Sequence, residues 1–205
     1  MSTPRDLLYV TLDVPGDRPV EQGDLSLALA GAELVDLLAA GAVFLDGDRI
    51  RPGLRTATDD RLLDAAEAAL IGEAPYESVE DWLWRRGNGL AASYGAALDA
   101  AKHPGGSRHR RRPGRAAAGP AATAAPAARQ DAAGRWAARE PVLVALAAAL
   151  GIEPEATGAE PPAEPDDDAV VTVVAAVADA VTELEAVRQR RRVEDAAFDN
   201  IWRSP

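Results

Sequence analysis

Large apolar residues recur at helical spacing along most of the chain, which predicts a mainly helical fold. The clearest stretch ends at Gly41, and glycine tolerates the left-handed conformation that often follows a helix. Near the N-terminus, Thr3-Pro4 predicts a helix start with a capping hydroxyl, although the β-branched run 9–12 leaves a strand open. The central helix is predicted to start at Gly23-Asp24 and to carry Leu25, Leu27, Leu29, Leu34, Leu37 and Leu38.

A short β-hairpin interrupts the helical pattern between residues 42 and 51. Its two arms flank Asp46-Gly47-Asp48, and Asp-Gly is a strong hairpin signal because both residues tolerate positive φ. Two further helices are predicted to begin at Asp59-Asp60 and after Ser78, whose side chains suit the N-cap position. An alanine-rich helix follows over 90–101.

The chain is interpreted as one domain with two irregular segments. Residues 1–101 form its N-terminal part, and 102–134 form a basic, low-complexity insert without periodic large apolar residues. Residues 135–205 supply the C-terminal helices, with an acidic, proline-rich linker at 153–168. The final helix is predicted over about 167–200, where acidic residues come first and arginines later, as the helix dipole favours.

Charge is strongly segregated along the sequence. The formal net charge of −11 argues against non-specific nucleic-acid binding by the whole protein, yet every charged residue between Lys102 and Arg129 is basic. Cysteine is absent, and no secretory signal is recognised at the N-terminus. The apolar stretches are too short for a bilayer, which needs roughly 20 residues. We therefore expect a cytoplasmic protein whose membrane contact, if any, is peripheral.

No catalytic or metal site is predicted, and no cofactor. His103 and His109 both lie in the low-complexity segment, where the fixed geometry of a general base is hard to maintain. Asp46 and Asp48 match the Asp-X-Asp pattern of many glycosyltransferases, but a hairpin turn explains them better. The acidic run 166–168 is interpreted as a helix cap rather than a cation site.

Two groups of arginines are the candidates for binding an anion. The first is Arg85 and Arg86, next to Trp82 and Trp84; neighbouring helical residues point in different directions, so one indole is predicted in the core and the other partly exposed. The second group can bind phosphates of acidic lipid or nucleic acid, although a solvated linker is the simpler interpretation. It consists of Arg108, Arg110, Arg111 and Arg112.

The order of several weakly specific segments resembles the Golgi phosphoprotein 3 (GPP34) family, in particular its bacterial members. The segments are the opening Leu-Leu-Tyr-Val-Thr-Leu-Asp (7–13), the helix 29–37 with Gly41 and the hairpin, Val-Glu-Asp-Trp-Leu (79–83), the segment 140–146 and the final helix over 173–187. The resemblance implies a GPP34-like helical bundle with a small β-hairpin and no enzyme activity. In eukaryotic members it also implies a phosphatidylinositol 4-phosphate pocket and binding of glycosyltransferase tails.

The lipid-contacting residues of that family do not carry over to this chain. The resemblance places a tryptophan near Glu21, an arginine at Ala30 and two further arginines near Asn88 and Ala91, and none of these four residues matches. An anionic site would have to use Arg85, Arg86 or the basic insert instead. Where the family has strands and a membrane-facing hairpin, residues 102–134 are rich in Arg, Ala, Gly and Pro, so we hypothesise a local frame shift; a genuine disordered insert is the alternative.

These observations predict a non-catalytic peripheral membrane adaptor. The expected partners are acidic phospholipid headgroups or the tail of a membrane protein. The alternative is a nucleic-acid-associated regulator that uses the basic segment 108–115, and it predicts salt-sensitive DNA retention. The sequence does not specify an oligomeric state.

Overall fold

Eight helices and a two-stranded hairpin make up the part of the chain that the computed structural model describes, residues 2–16, 18–54, 60–102, 120–154 and 163–203. The mainly helical prediction is confirmed. In chain order the elements are α1 (Thr3–Asp13), α2 (Gln22–Ala39), β1 (Val43–Asp46), β2 (Arg49–Pro52), α3 (Arg61–Ala68), α4 (Val79–Arg86), α5 (Leu90–Lys102), α6 (Pro120–Ala137), α7 (Pro141–Ala149) and α8 (Asp168–Arg203).

The N-terminal segment is a helix, not a strand. Pro4 lies in its first turn, where the missing amide hydrogen costs nothing. The predicted hydroxyl cap is not present: within the described residues, Ser2 makes no capping bond with its side chain. The Thr3 amide instead donates to Asp36 Oδ2 of α2, 2.9 Å away. A carboxylate from another helix therefore caps α1.

Helix α2 lies at the centre of the bundle and packs against α1, α4, α5 and α8. It begins at Gln22, so the predicted start at Gly23-Asp24 is wrong; Asp24 instead forms an ion pair with Arg188 of α8. Gly41 follows the helix with φ of 68°, as predicted. The buried leucines of α2 form much of the core.

The hairpin is confirmed at the predicted position. Strands β1 and β2 pair antiparallel with Phe44 opposite Arg51, and Gly47 takes φ of 65° in the turn. Backbone bonds join the outer side of β2 to the segment before α4, because the Ile50 amide donates to the Glu77 carbonyl. The hairpin is thereby attached to the start of α4.

Two helix starts that the sequence predicts are formed by the expected side chains. Asp60 accepts a hydrogen bond from the Leu62 amide at the start of α3. Ser78 Oγ accepts one from the Asp81 amide, 3.0 Å away, at the start of α4. The short polar side chains thus satisfy amides that have no partner inside the helix.

Replacing Ser78 by alanine is expected to lower the free energy of unfolding by about 1 kcal/mol, since the Asp81 amide loses its cap. Urea denaturation followed by circular dichroism measures this loss. Ser78→Thr is the matched control, because threonine keeps the hydroxyl that accepts from the Asp81 amide and donates to Asp81 Oδ2. An alanine variant as stable as the original chain would contradict this capping role.

Helix α6 corrects part of the interpretation of 102–134 as an irregular insert. It begins at Pro120, so residues 120–134 are helical, while residues 103–119 lie outside the described residues. Alanine is the best helix former, which explains a helix without a large apolar face. Arg129 and Arg135 pair with Asp13 and Asp6, and these ion pairs attach α6 to α1. The frame-shift hypothesis stays a prediction.

The last two helices complete the core. Glu140 caps the start of α7, since its carboxylate accepts from the Leu143 amide, and Gly151 follows the helix with φ of 75°. The long helix α8 matches the predicted range and packs against α2, α4 and α7. It packs tightly on α2 at Gly31, where a Cβ atom would clash with Val177. A glycine in the central helix thus permits the close approach of α8.

Candidate functional site

Arg85, the first candidate for anion binding, lies on α4 and already holds a carboxylate. Its Nε and Nη2 donate to the two carboxylate oxygens of Glu77 over 2.6 and 2.7 Å. The guanidinium also lies 5.3 Å from the ring centre of Trp82, and the pair with Glu77 raises the pKa of Arg85. Because 42% of its side chain is exposed, one side of the guanidinium still meets solvent.

Arg86 belongs to a buried network around Glu33 of α2. Glu33 is fully buried, and its carboxylate accepts from Arg86 Nε (2.7 Å), Arg86 Nη2 (2.9 Å) and the Tyr94 hydroxyl (3.0 Å). Arg86 Nη2 also donates to the Leu62 carbonyl. The network thus joins α2 to α3, α4 and α5 through one carboxylate.

Burial governs the ionisation of this network. It raises the pKa of Glu33, although the Arg86 guanidinium opposes the shift. Burial and the neighbouring carboxylate likewise raise the pKa of Tyr94, so the phenol keeps its proton and donates to Glu33. A charge-assisted, two-point arginine–carboxylate pair is strong and rigid. These contacts give Arg86 a structural role.

The two candidate arginines that the structure describes do not form one anion site. Arg85 and Arg86 project to different carboxylates, Glu77 and Glu33. The other four, Arg108, Arg110, Arg111 and Arg112, lie outside the described residues. Contact of any of the six with lipid stays a prediction.

A groove between the start of α2 and the α4–α5 turn lies next to the positions that the resemblance assigns to lipid contact. It has a volume of about 380 Å³ and is lined by Asn88, Trp84 and Leu184, among others. Its described lining contains no charged side chain. Ala30 is buried, and the Ala91 amide donates to Ser26 Oγ. An anion in this groove would meet neutral walls.

Comparison with family models assigns the chain to a known family. The model of the Golgi phosphoprotein 3 (GPP34) family matches residues 4–197, nearly the whole chain. The chain belongs to the GPP34 family. No curated protein and no solved structure matched it. The match therefore confirms the family resemblance that the segment order indicates, and GPP34 is not a known enzyme family.

Three of the remaining acidic candidates of this GPP34 chain, Asp46, Asp48 and Asp167, have structural partners. Asp46 pairs with Arg51, and Asp48 lies 3.5 Å from Arg49, so both flank the hairpin turn in ion pairs. Asp167 accepts from the Ala169 amide and caps α8. In the described part of the chain, no cluster of metal-binding side chains is present.

Among the described residues, none of the helices is both long enough and apolar enough to cross a bilayer. Helix α8 has the length, but arginines and carboxylates occupy its second half.

The structure reveals exposed arginines on α8, whose place in the sequence indicates only a complement to the helix dipole. Arg190 and Arg191 form no ion pair within the described residues, and Arg192 lies 4.0 Å from Glu185. Val193 and Phe198 beside them are 58% and 62% exposed. The signal in the sequence is a run of arginines followed by spaced apolar residues, but its exposure depends on where the bundle ends.

Proposed function

We propose that this GPP34 protein is a non-catalytic peripheral membrane adaptor. It meets acidic phospholipid headgroups at a membrane surface, or holds there the tail of a membrane protein. The observation that carries the proposal is family membership over residues 4–197. The apolar and cationic side chains exposed together on the bundle support it, since a membrane interface accepts both.

The charges of the bundle are consistent with a weak, surface-dependent contact. Most described arginines are held by carboxylates, as Arg5 is by Asp60 and Arg188 by Asp24. The neutral groove beside Asn88 offers no strong attraction for a phosphorylated headgroup. Binding is therefore proposed to depend on the acidic lipid content of the surface rather than on one deep headgroup pocket.

We expect the intact protein to co-sediment with phosphatidylcholine vesicles that contain phosphatidylglycerol, and not with vesicles of phosphatidylcholine alone. Raising the salt concentration should weaken this binding, because ions screen contacts between exposed charges. Equal and negligible sedimentation with both vesicle types would contradict headgroup contact.

A further inference from the structure

The C-terminal part of α8 leaves the helical bundle after Arg188. Arg188 Nη1 donates to both carboxylate oxygens of Asp24, at 2.7 and 2.9 Å, and this ion pair joins α8 to α2. From Gln189 to Phe198 every described side chain is exposed. The helix continues to Arg203, so about 22 Å of helix extends beyond this contact at 1.5 Å per residue. We call residues 189–203 the α8 arm.

Cationic side chains occupy most of the circumference at the start of the α8 arm. Successive helical residues are about 100° apart, so Arg190, Arg191 and Arg192 cover about 200° of the surface. Glu194 and Asp195 follow four residues after Arg190 and Arg191, yet no ion pair forms between them in the described structure. An arginine that precedes its carboxylate by four residues is the less favourable order on a helix. The guanidiniums thus remain available to an external anion.

Apolar side chains lie beside these arginines. Val193 is three residues from Arg190, and Phe198 is seven residues from Arg191, so each shares a helix face with an arginine. Both are more than half exposed. Apolar and cationic side chains on one exposed helix are typical of segments that lie in the headgroup region of a bilayer. A ligand that offers only phosphate groups would make no apolar contact with Val193, whereas a bilayer offers both phosphates and acyl chains.

The net charge of the protein adds a second argument. At −11 the chain is repelled by an acidic bilayer unless a locally basic surface makes the contact. Repulsion from more distant carboxylates is screened beyond about 10 Å at 0.1 M salt, so the surface in contact decides the interaction. The unpaired Arg190 and Arg191 on the α8 arm form such a surface.

We propose that the α8 arm is the surface by which this protein contacts the headgroup region of an acidic phospholipid bilayer, through Arg190, Arg191 and Arg192 with Val193 and Phe198. The inference rests on the proposed function and deepens it, because it names the contact surface. None of the six candidate arginines predicted from the sequence belongs to the α8 arm, so this contact surface is a different one.

The test compares two triple variants of the full chain that remove the same charge. Arg190→Gln/Arg191→Gln/Arg192→Gln should lower the partition coefficient on phosphatidylglycerol-containing vesicles about a hundredfold, since each arginine near an acidic surface contributes roughly a factor of five. The control, Arg18→Gln/Arg49→Gln/Arg61→Gln, removes three exposed arginines elsewhere and should bind nearly as the original chain does. Phe198→Ser should weaken binding about tenfold with the charge unchanged.

The outcomes separate this inference from the proposed function. If the original chain binds and both triple variants bind equally, the inference is overturned while the proposed function stands. If the original chain binds no acidic vesicle, the inference is overturned together with the headgroup contact of the proposed function, and only the binding of a membrane protein's tail is left of that proposal. Salt-sensitive retention of DNA that only the α8 arm variant loses, without vesicle binding, would assign the arm to nucleic acid and overturn the lipid assignment. Far-ultraviolet circular dichroism checks that each variant folds. We expect each variant to fold, because the substituted side chains are exposed.

Discussion

Replacing Arg86 by methionine is expected to lower the free energy of unfolding by about 3–5 kcal/mol. Glu33 is fully buried in α2, and Arg86 supplies two of the three hydrogen bonds that its carboxylate accepts from side chains. Methionine retains part of the packing volume but leaves a buried charge with only the Tyr94 hydroxyl. Urea denaturation followed by circular dichroism measures the change.

The double variant Glu33→Gln/Arg86→Met tests this cause. It removes the buried charge along with its partner, so it should be more stable than Arg86→Met alone. If the double variant is less stable than the single variant by the full cost of Glu33→Gln, the two effects are additive, and the ion pair is not the reason for the loss.

The loss of stability in Arg86→Met should also depend on pH, because burial raises the pKa of Glu33. Burial already raises the pKa of Glu33 above 4.5, and removing Arg86 removes the main cause that lowers it. A carboxyl whose folded pKa is raised binds more protons in the folded than in the unfolded protein, so stability falls as pH rises through the folded pKa. The Arg86→Met penalty should therefore shrink as pH falls toward 4.5. A penalty that is constant across this window would contradict the assignment.

Local signals in the sequence predicted the turns and caps of this fold. Gly41, Gly47 and the N-caps Asp60 and Ser78 each act within a few residues of their own position. A glycine at positive φ or a hydroxyl facing a free amide needs no distant partner. These features were therefore readable without knowledge of the fold.

Contacts between residues that are distant in the sequence could not be predicted in this way. Asp36 caps α1 from 33 residues away, and Asp24 pairs with Arg188 across 164 residues. A carboxylate near a helix start looks like a cap in the sequence, which is why Asp24 was misassigned. Only the packing of α1 and α8 on α2 shows which distant partner each carboxylate has.

The prediction of the anion-binding arginines also depends on contacts between distant residues. Arg85 and Arg86 look alike in the sequence as exposed cations beside tryptophans, but the fold places Glu77 and Glu33 against them. The exposure of Arg190 and Arg191 depends instead on where the contact of α8 with α2 ends. Charge patterns thus identify arginines that could bind an anion, and the packing decides which of them are free to do so.

The two neighbouring tryptophans of α4 should differ sharply when each is replaced by alanine. Trp82 is fully buried, and its Nε1 donates to the Ala30 carbonyl over 3.1 Å, whereas Trp84 is only half-buried and lines the groove beside Asn88. Removing a buried tryptophan costs about 3–5 kcal/mol, through lost burial and the cavity left behind. We expect Trp82→Ala to lose this amount and Trp84→Ala less than half of it, measured by urea denaturation.

The variant Trp82→Phe separates packing from hydrogen bonding at this position. Phenylalanine keeps most of the buried ring but cannot donate to the Ala30 carbonyl, which as a helix carbonyl of α2 has a second acceptor site for its own backbone bond. The loss should therefore be about 1–2 kcal/mol, well below that of Trp82→Ala. Equal losses for Trp82→Ala and Trp84→Ala would show that the contact of α4 with α2 does not depend on the buried indole. A loss for Trp82→Phe as large as that for alanine would instead make the hydrogen bond, rather than the ring volume, the main link between the two helices.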